Sequence, residues 1–113
     1  MVTDAYAPAR GDIVWIDMNP RMGHEQSGLR PAVILSPEAY NRKVGLALLC
    51  PITSQRKGYP FEVDIPDELP VSGVILADHV KSLDWRARGA KKACSLPPET
   101  VEGVLAKARL LLQ

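Results

Sequence analysis

Apolar and polar positions divide the chain into short segments of two different periods. Asp12 to Met18 (DIVWIDM) is rich in β-branched and aromatic residues and follows Gly11, which predicts a first strand. Pro31 to Leu35 and Leu46 to Ile52 are nearly continuous apolar runs, the pattern of strands buried on both faces. Phe61, Val63 and Ile65 alternate with Glu62 and Asp64, predicting a half-exposed strand with its acids in water. Val74 to Ala77 and His79 to Leu83 read as two further strands, or one bent at Asp78. Val101, Val104, Leu105, Ala108, Leu111 and Leu112 share one helical face, predicting an amphipathic helix from about Pro98 to Leu112.

Between these elements, Ser36-Pro37-Glu38 has the form of an N-cap with proline at the first helical position, opening a short helix to about Arg42. Asn19 to Leu29 has no period and carries Pro, Gly, Asn and Ser. At about eleven residues it is long enough for a functional loop rather than a simple turn. Thr53 to Tyr59 is a polar, basic loop, and Pro66 to Ser72 is a turn-rich connection. The expected architecture is mainly β: a small barrel with one short helix and a C-terminal amphipathic helix.

Length and composition narrow the picture. The 113 residues fit a single domain, 1–113, and 46% hydrophobic with 24% charged residues is the balance of a soluble globule. A net charge of +1 gives no argument for a polyanion partner by itself. Locally the charges separate. Phe61 to Glu68 holds four acids and no base, whereas Arg86 to Lys92 holds four bases and no acid. These are either two solvated faces or, with Lys57 and Lys81, a basic stripe along a phosphate backbone. Cys50 lies in an apolar run and reads as a buried free thiol. Met1 to Arg10 has no apolar stretch of the secretory kind, and no run approaches the length of a membrane span. The expectation is a cytoplasmic protein with no membrane partner.

His24 and His79 are far apart in sequence and neither cysteine has a partner at ligand spacing, so no metal is expected. No Gly-rich strand-to-helix turn announces a phosphate or dinucleotide loop, and no cofactor is expected. Three polar residues stand out by position. Arg30 opens an apolar strand directly after the long loop, Thr53 closes another, and Glu25 lies five residues before Arg30. An arginine can donate two parallel hydrogen bonds to a phosphate, a threonine a third, and a carboxylate can take a proton. The set suits metal-free phosphoryl transfer. It is equally the composition of a surface ion pair and a turn.

Longer strings of residues are familiar. Arg10-Gly11-Asp12, Gly23 to Val33 (GHEQSGLRPAV), Pro51-Ile52-Thr53-Ser54, Lys57 to Val63 (KGYPFEV) and Asp78 to Arg88 (DHVKSLDWRAR) together closely resemble the MazF/PemK (Kid) toxin family, nearest its MazF branch. The resemblance runs in order over nearly the whole chain. It implies a Src-homology-3-like barrel acting as a homodimer, a ribosome-independent, metal-free endoribonuclease cutting single-stranded RNA at a short sequence. It also implies a cognate antitoxin, expected to be acidic, whose disordered tail covers the active surface. Glu25, Arg30 and Thr53 match positions the family uses in its active site. Asp78 and His24 match an Asp and a His of the Kid branch. The Kid arginine two positions before that Asp is Leu76 here, so the assignment centred on Arg30 and Thr53 is preferred.

RNA's own chemistry completes the expectation. A 2′-hydroxyl attacks the adjacent phosphorus, leaving a 2′,3′-cyclic phosphate and a 5′-hydroxyl. Glu25 serves as base with help from His24, while Arg30 and Thr53 hold the phosphate. Splayed bases are read by stacking and edge hydrogen bonds, for which Trp15, Gln26, Ser54, Lys57, His79, Lys81 and Arg86 are the candidates. Trp85 is a further possible stacking face, and core packing is the other reading of both tryptophans. Two other functions remain open. One is a gyrase-poisoning toxin of the CcdB kind, against which the tail Leu110 to Gln113 lacks a terminal aromatic residue. The other is a small nucleic-acid-binding barrel that cuts nothing.

Overall fold

The computed structural model describes residues 5–19 and 28–113. Its strands are β1 (Asp12–Asp17), β2 (Leu29–Ile34), β3 (Leu46–Thr53), β4 (Glu62–Asp64), β5 (Val74–Leu76), β6 (Lys81–Asp84) and β7 (Lys91–Ser95). Two helices, α1 (Glu38–Val44) and α2 (Pro98–Leu110), follow β2 and β7. Every pairing is antiparallel. One run of the sheet is β7-β1-β2-β3-β6, and the end of β3 turns away to pair with β5, which pairs with β4. Among the described residues the chain is therefore mainly β with two helices, as the periodicity predicts.

The continuous apolar runs exist because this sheet is covered on both faces. Ile13, Val33, Cys50 and Ile52 point into one core, closed by Ile75 and by Val101 and Val104 of α2. Val14, Ile16, Ala32, Ile34, Ala47 and Leu49 point into the other, closed by Trp85 and Ala7. A strand that alternates between two cores has no polar face to show. The register between β1 and β7 slips between Ile13 and Val14, a bulge that locally increases the twist.

Three sequence expectations change, and one alternative is decided. β7 lies in what reads as a basic run: Lys91 and Lys92 are exposed on an edge strand, where lysines block pairing with another chain. Val74 to Leu83 is two strands, because β5 and β6 pair with opposite ends of β3. Ser36 is not the cap of α1; Pro37 occupies that position without a side-chain cap bond. Ser36 is buried instead, donating to Asn41 Oδ1 at 2.5 Å and accepting from the Leu48 amide at 2.9 Å. Finally, α2 buries Val101, Val104 and Ala108 but ends at Leu110, so Leu111 and Leu112 (85% exposed) project beyond the core. No helix among the described residues is long and apolar enough to cross a membrane.

Candidate functional site

The split of β3 between two partners builds the site. Its register with β2 runs to Ala32–Pro51, and two residues further along both strands stand Arg30 and Thr53. The β2–β3 ladder stops short of them, while Ile52 and Thr53 pair with Ile75 and Val74 of β5. A cavity of about 640 Å³ opens at this fork, lined by Trp15, Arg30, Thr53, Ser54, Gln55 and Lys81 among others. A second cavity, about 250 Å³, shares Thr53 and Gln55 and continues along Lys57, Tyr59, Glu62, Leu76 and His79.

Arg30 donates to its neighbour's carbonyl, Leu29 O, at 3.2 Å. It makes no ion pair among the described residues, which leaves most of its five N–H donors for a ligand. Thr53 Oγ1 accepts from the Gln55 amide at 3.1 Å. That bond occupies an acceptor position and leaves the hydroxyl proton to be donated. Thr53 is held from behind by Gly73, which has φ +125°. A Cβ there would lie 2.4 Å from Thr53 O, so no residue with a side chain fits without moving the end of β3.

Trp15 sits between buried Val14 and Ile16 on β1 yet is 42% exposed, its side chain turned to the cavity. Trp85 takes the packing role. It is 4% exposed, and its indole N–H donates to Asn41 O at 2.9 Å.

Asp78 lines neither cavity but supports the second. It accepts from the Tyr59 hydroxyl at 2.7 Å and lies 3.7 Å from His79 Nε2. The hydrogen bond to Asp78, then burial and the nearby carboxylate charges, push the Tyr59 hydroxyl up to about 12, so it stays protonated. Burial, with the charge of Asp78 added, pushes the Cys50 thiol up to about 12, which suits an inert core residue. Arg86 stands apart: its guanidinium stacks on Trp85, 4.5 Å from the ring centre. It follows β6, which pairs with the Leu46 end of β3, roughly 23 Å from Thr53 at about 3.3 Å per strand residue.

The structure thus gathers Trp15, Arg30, Thr53, Ser54 and Lys81 around one cavity, and Lys57 and His79 around its neighbour. Asp78 is one residue behind that wall and Arg86 is elsewhere. His24, Glu25 and Gln26 lie outside the described residues. Gln55 and Tyr59 belong to the polar loop read from the sequence without being singled out, and Glu62 is a residue periodicity misses, brought here by the pairing of β4 with β5 and of β5 with the end of β3. Among the described residues, no three His, Cys, Asp or Glu side chains gather as a metal site.

Residues 9–112 match the family model described as PemK-like, MazF-like toxin of type II toxin-antitoxin system. The chain belongs to this family. It is similar to the endoribonuclease toxin MazF of Escherichia coli (strain K12), 50% identical over 107 residues that cover 95% of this chain and 96% of that one. Its fold matches the crystal structure of MazF from Deinococcus radiodurans with a TM-score of 0.88, 51% identity, and coverage of 96% and 98%. A MazE-MazF crystal structure from the same organism matches with a TM-score of 0.86 and 46% identity over 96% of this chain and 97% of that one. With these relatives the family membership lies on the MazF side, as the sequence motifs imply. The fork of β3 and its two cavities are therefore features of a MazF-like toxin.

Proposed function

We propose that this MazF-like toxin is an endoribonuclease that cuts single-stranded RNA at a short sequence, using the Arg30–Thr53 cavity as its reaction centre. The observation that carries the reading is the convergence of an arginine with no acidic partner among the described residues and a threonine with its proton to donate, beside an exposed tryptophan. This is a phosphate grip next to a stacking surface.

The reaction follows from those groups. Arg30 binds the non-bridging oxygens of the scissile phosphate, and Thr53 donates to the same group. Held this way, the 2′-hydroxyl attacks phosphorus in line, the 5′-oxygen leaves, and the products are a 2′,3′-cyclic phosphate and a 5′-hydroxyl. The attacking proton goes to a general base, for which Glu25 with His24 is the candidate on the family resemblance. A guanidinium is a poor proton donor, so the proton for the leaving oxygen comes from water held at Arg30. Trp15, Ser54 and Lys81 hold the strand on one side of the cut. Lys57 and His79 hold it on the other, with Asp78 orienting the second wall through Tyr59 and His79.

The protein acts in the cytoplasm as a homodimer and is neutralised by a cognate antitoxin. The named MazE-MazF complex of a relative at 46% identity supports the antitoxin. An acidic, disordered tail is the partner chemistry that fits a cavity carrying Arg30 and Lys81. Relatives named endoribonuclease favour this reading over gyrase poisoning or passive binding.

The test is incubation of antitoxin-free protein with a long mixed-sequence single-stranded RNA in excess EDTA, mapping the product ends. Discrete cuts at one short motif, ending in cyclic phosphate and lost in Arg30→Ala, are expected. Cleavage of an oligonucleotide with hydrogen in place of the 2′-hydroxyl at the cut site would sink the mechanism.

A further inference from the structure

The loop between β3 and β4 carries Gln55 and Lys57 into the two cavities, yet its residues 54–58 are all exposed. Exposed loops of this length are ordinarily loose. In this one a single carboxylate holds two successive amides. Glu62, the first residue of β4, accepts from the Lys57 amide at 2.8 Å through one oxygen and from the Gly58 amide at 2.9 Å through the other. Gly58 has φ +81°, which turns two successive amides toward the same side. Consecutive amides so turned form an anion-binding concavity, here filled by the protein's own carboxylate. Arg56 also pairs with Asp64 of β4, and Lys107 of α2 donates to Pro60 O at 2.6 Å.

We propose that Glu62 is a positioning residue of the RNA site, holding the 54–60 loop so that Gln55 and Lys57 meet the strand beyond Thr53. This rests on the two cavities being the RNA site. Glu62 lies in the wall of the second cavity itself, so the fastening and the ligand surface are one structure. A carboxylate has two acceptor oxygens, both engaged. A glutamine has one, and its NH₂ would confront the second amide, so Glu62→Gln keeps the shape of the side chain but can satisfy only one of the two. The loop then loses its fixed geometry, and ligand binding must supply the ordering.

The test compares wild type, Glu62→Gln and Glu62→Ala on a short RNA containing the mapped cleavage motif, and on its 2′-deoxy analogue, which binds without being cut. For Glu62→Gln, KM and the Kd for the analogue rise about tenfold, the scale of one lost hydrogen bond to a charged group, while kcat changes less than about threefold. Faster amide exchange at Lys57 and Gly58, with the β1–β2 amides unchanged, is the accompanying signature that a general loss of stability would not give. If Glu62→Ala fails to fold, Glu62→Gln and its exchange pattern decide the matter alone. Unchanged KM in Glu62→Gln, or a fall in kcat with KM unaltered, overturns the proposal. A wild-type protein that neither cuts nor binds the RNA overturns the reading of the site instead.

Discussion

Arg30 and Thr53 stand on adjacent strands, each two residues past the last β2–β3 pair, Ala32–Pro51, and face the same cavity. Each is held by its other neighbour, Arg30 by Ile16 of β1 and Thr53 by Val74 of β5, and both border the opening. A phosphate placed in that opening meets a planar guanidinium fork and a hydroxyl donor. Removing the fork in Arg30→Ala is expected to lower kcat by about 10²–10³, the scale of one lost donor to a developing anion. Arg30→Lys recovers only part, since an ammonium cannot bind two oxygens in parallel. Thr53→Val falls about tenfold or more while Thr53→Ser stays near wild type. The double variant Arg30→Ala/Thr53→Val loses less than the product of the single losses, because the two donors hold one phosphate. Single-turnover rates on a short RNA measure all five variants.

Gly73 reaches the same chemistry indirectly. Its Cβ position is 2.4 Å from Thr53 O, and its φ is positive, so alanine there displaces the end of β3 or strains the turn before β5. Gly73→Ala should cost about 1–3 kcal/mol of stability. It should also lower kcat at temperatures where the protein is fully folded, although Gly73 lines neither cavity. Denaturant midpoints beside single-turnover rates separate the two effects. A loss of stability with an unchanged rate would mean that β3 absorbs the strain away from Thr53.

The two tryptophans divide the roles that the sequence leaves open to both. Trp85 is enclosed in the core with its N–H satisfied by Asn41 O, so Trp85→Ala should destabilise by about 3–5 kcal/mol. Trp15 already stands half in solvent, and Trp15→Ala should shift stability by less than about 1 kcal/mol. Its effect appears in binding: about a tenfold weaker Kd for the non-cleavable analogue, as for one lost stacking surface. Quenching of indole emission by that analogue should vanish in Trp15→Ala and persist in a Trp85→Phe variant.

That pair illustrates how far the sequence carries. Burial on both faces leaves long apolar runs, so β1, β2 and β3 are legible from composition alone. Arg30 and Thr53 interrupt or end such runs, which makes them visible too. β7 is not, because an edge strand needs only one buried side and may be rich in lysine. Ser36 has the right neighbours for a helix cap, but its hydroxyl is drawn into the core by the buried carboxamide of Asn41, a contact no local pattern announces. Tyr59 and Glu62 join the site through the pairing of β5 with the end of β3 and of β4 with β5. Arg86 reads as one of several bases in a row, and only the structure shows it stacked on Trp85, beyond the β6 end that pairs with Leu46 of β3.

Four groups give the molecule a one-sided response to alkali. Burial and then the Asp12 hydrogen bond raise the Tyr6 hydroxyl, which donates to Asp12 Oδ2 at 2.6 Å. Tyr59 is raised by its bond to Asp78 from 10.0 to about 12. Cys50 is raised by burial from 9.0 to about 12, and Cys94 is raised by the same cause. Each is neutral when protonated and holds its proton more tightly folded than unfolded. Their contribution is thus fully present below the unfolded values of 9.0 and 10.0 and is lost as pH rises toward 12. Urea midpoints should be flat in this contribution near neutrality and fall progressively above about pH 9. Cys50→Ala lowers the absolute midpoint by leaving a small cavity, yet it should flatten the start of the fall. Tyr59→Phe should flatten its later part, above pH 10, while leaving the neutral-pH midpoint almost unmoved. A wild-type midpoint that rises between pH 9 and 11 would mean that these groups do not govern the alkaline limb.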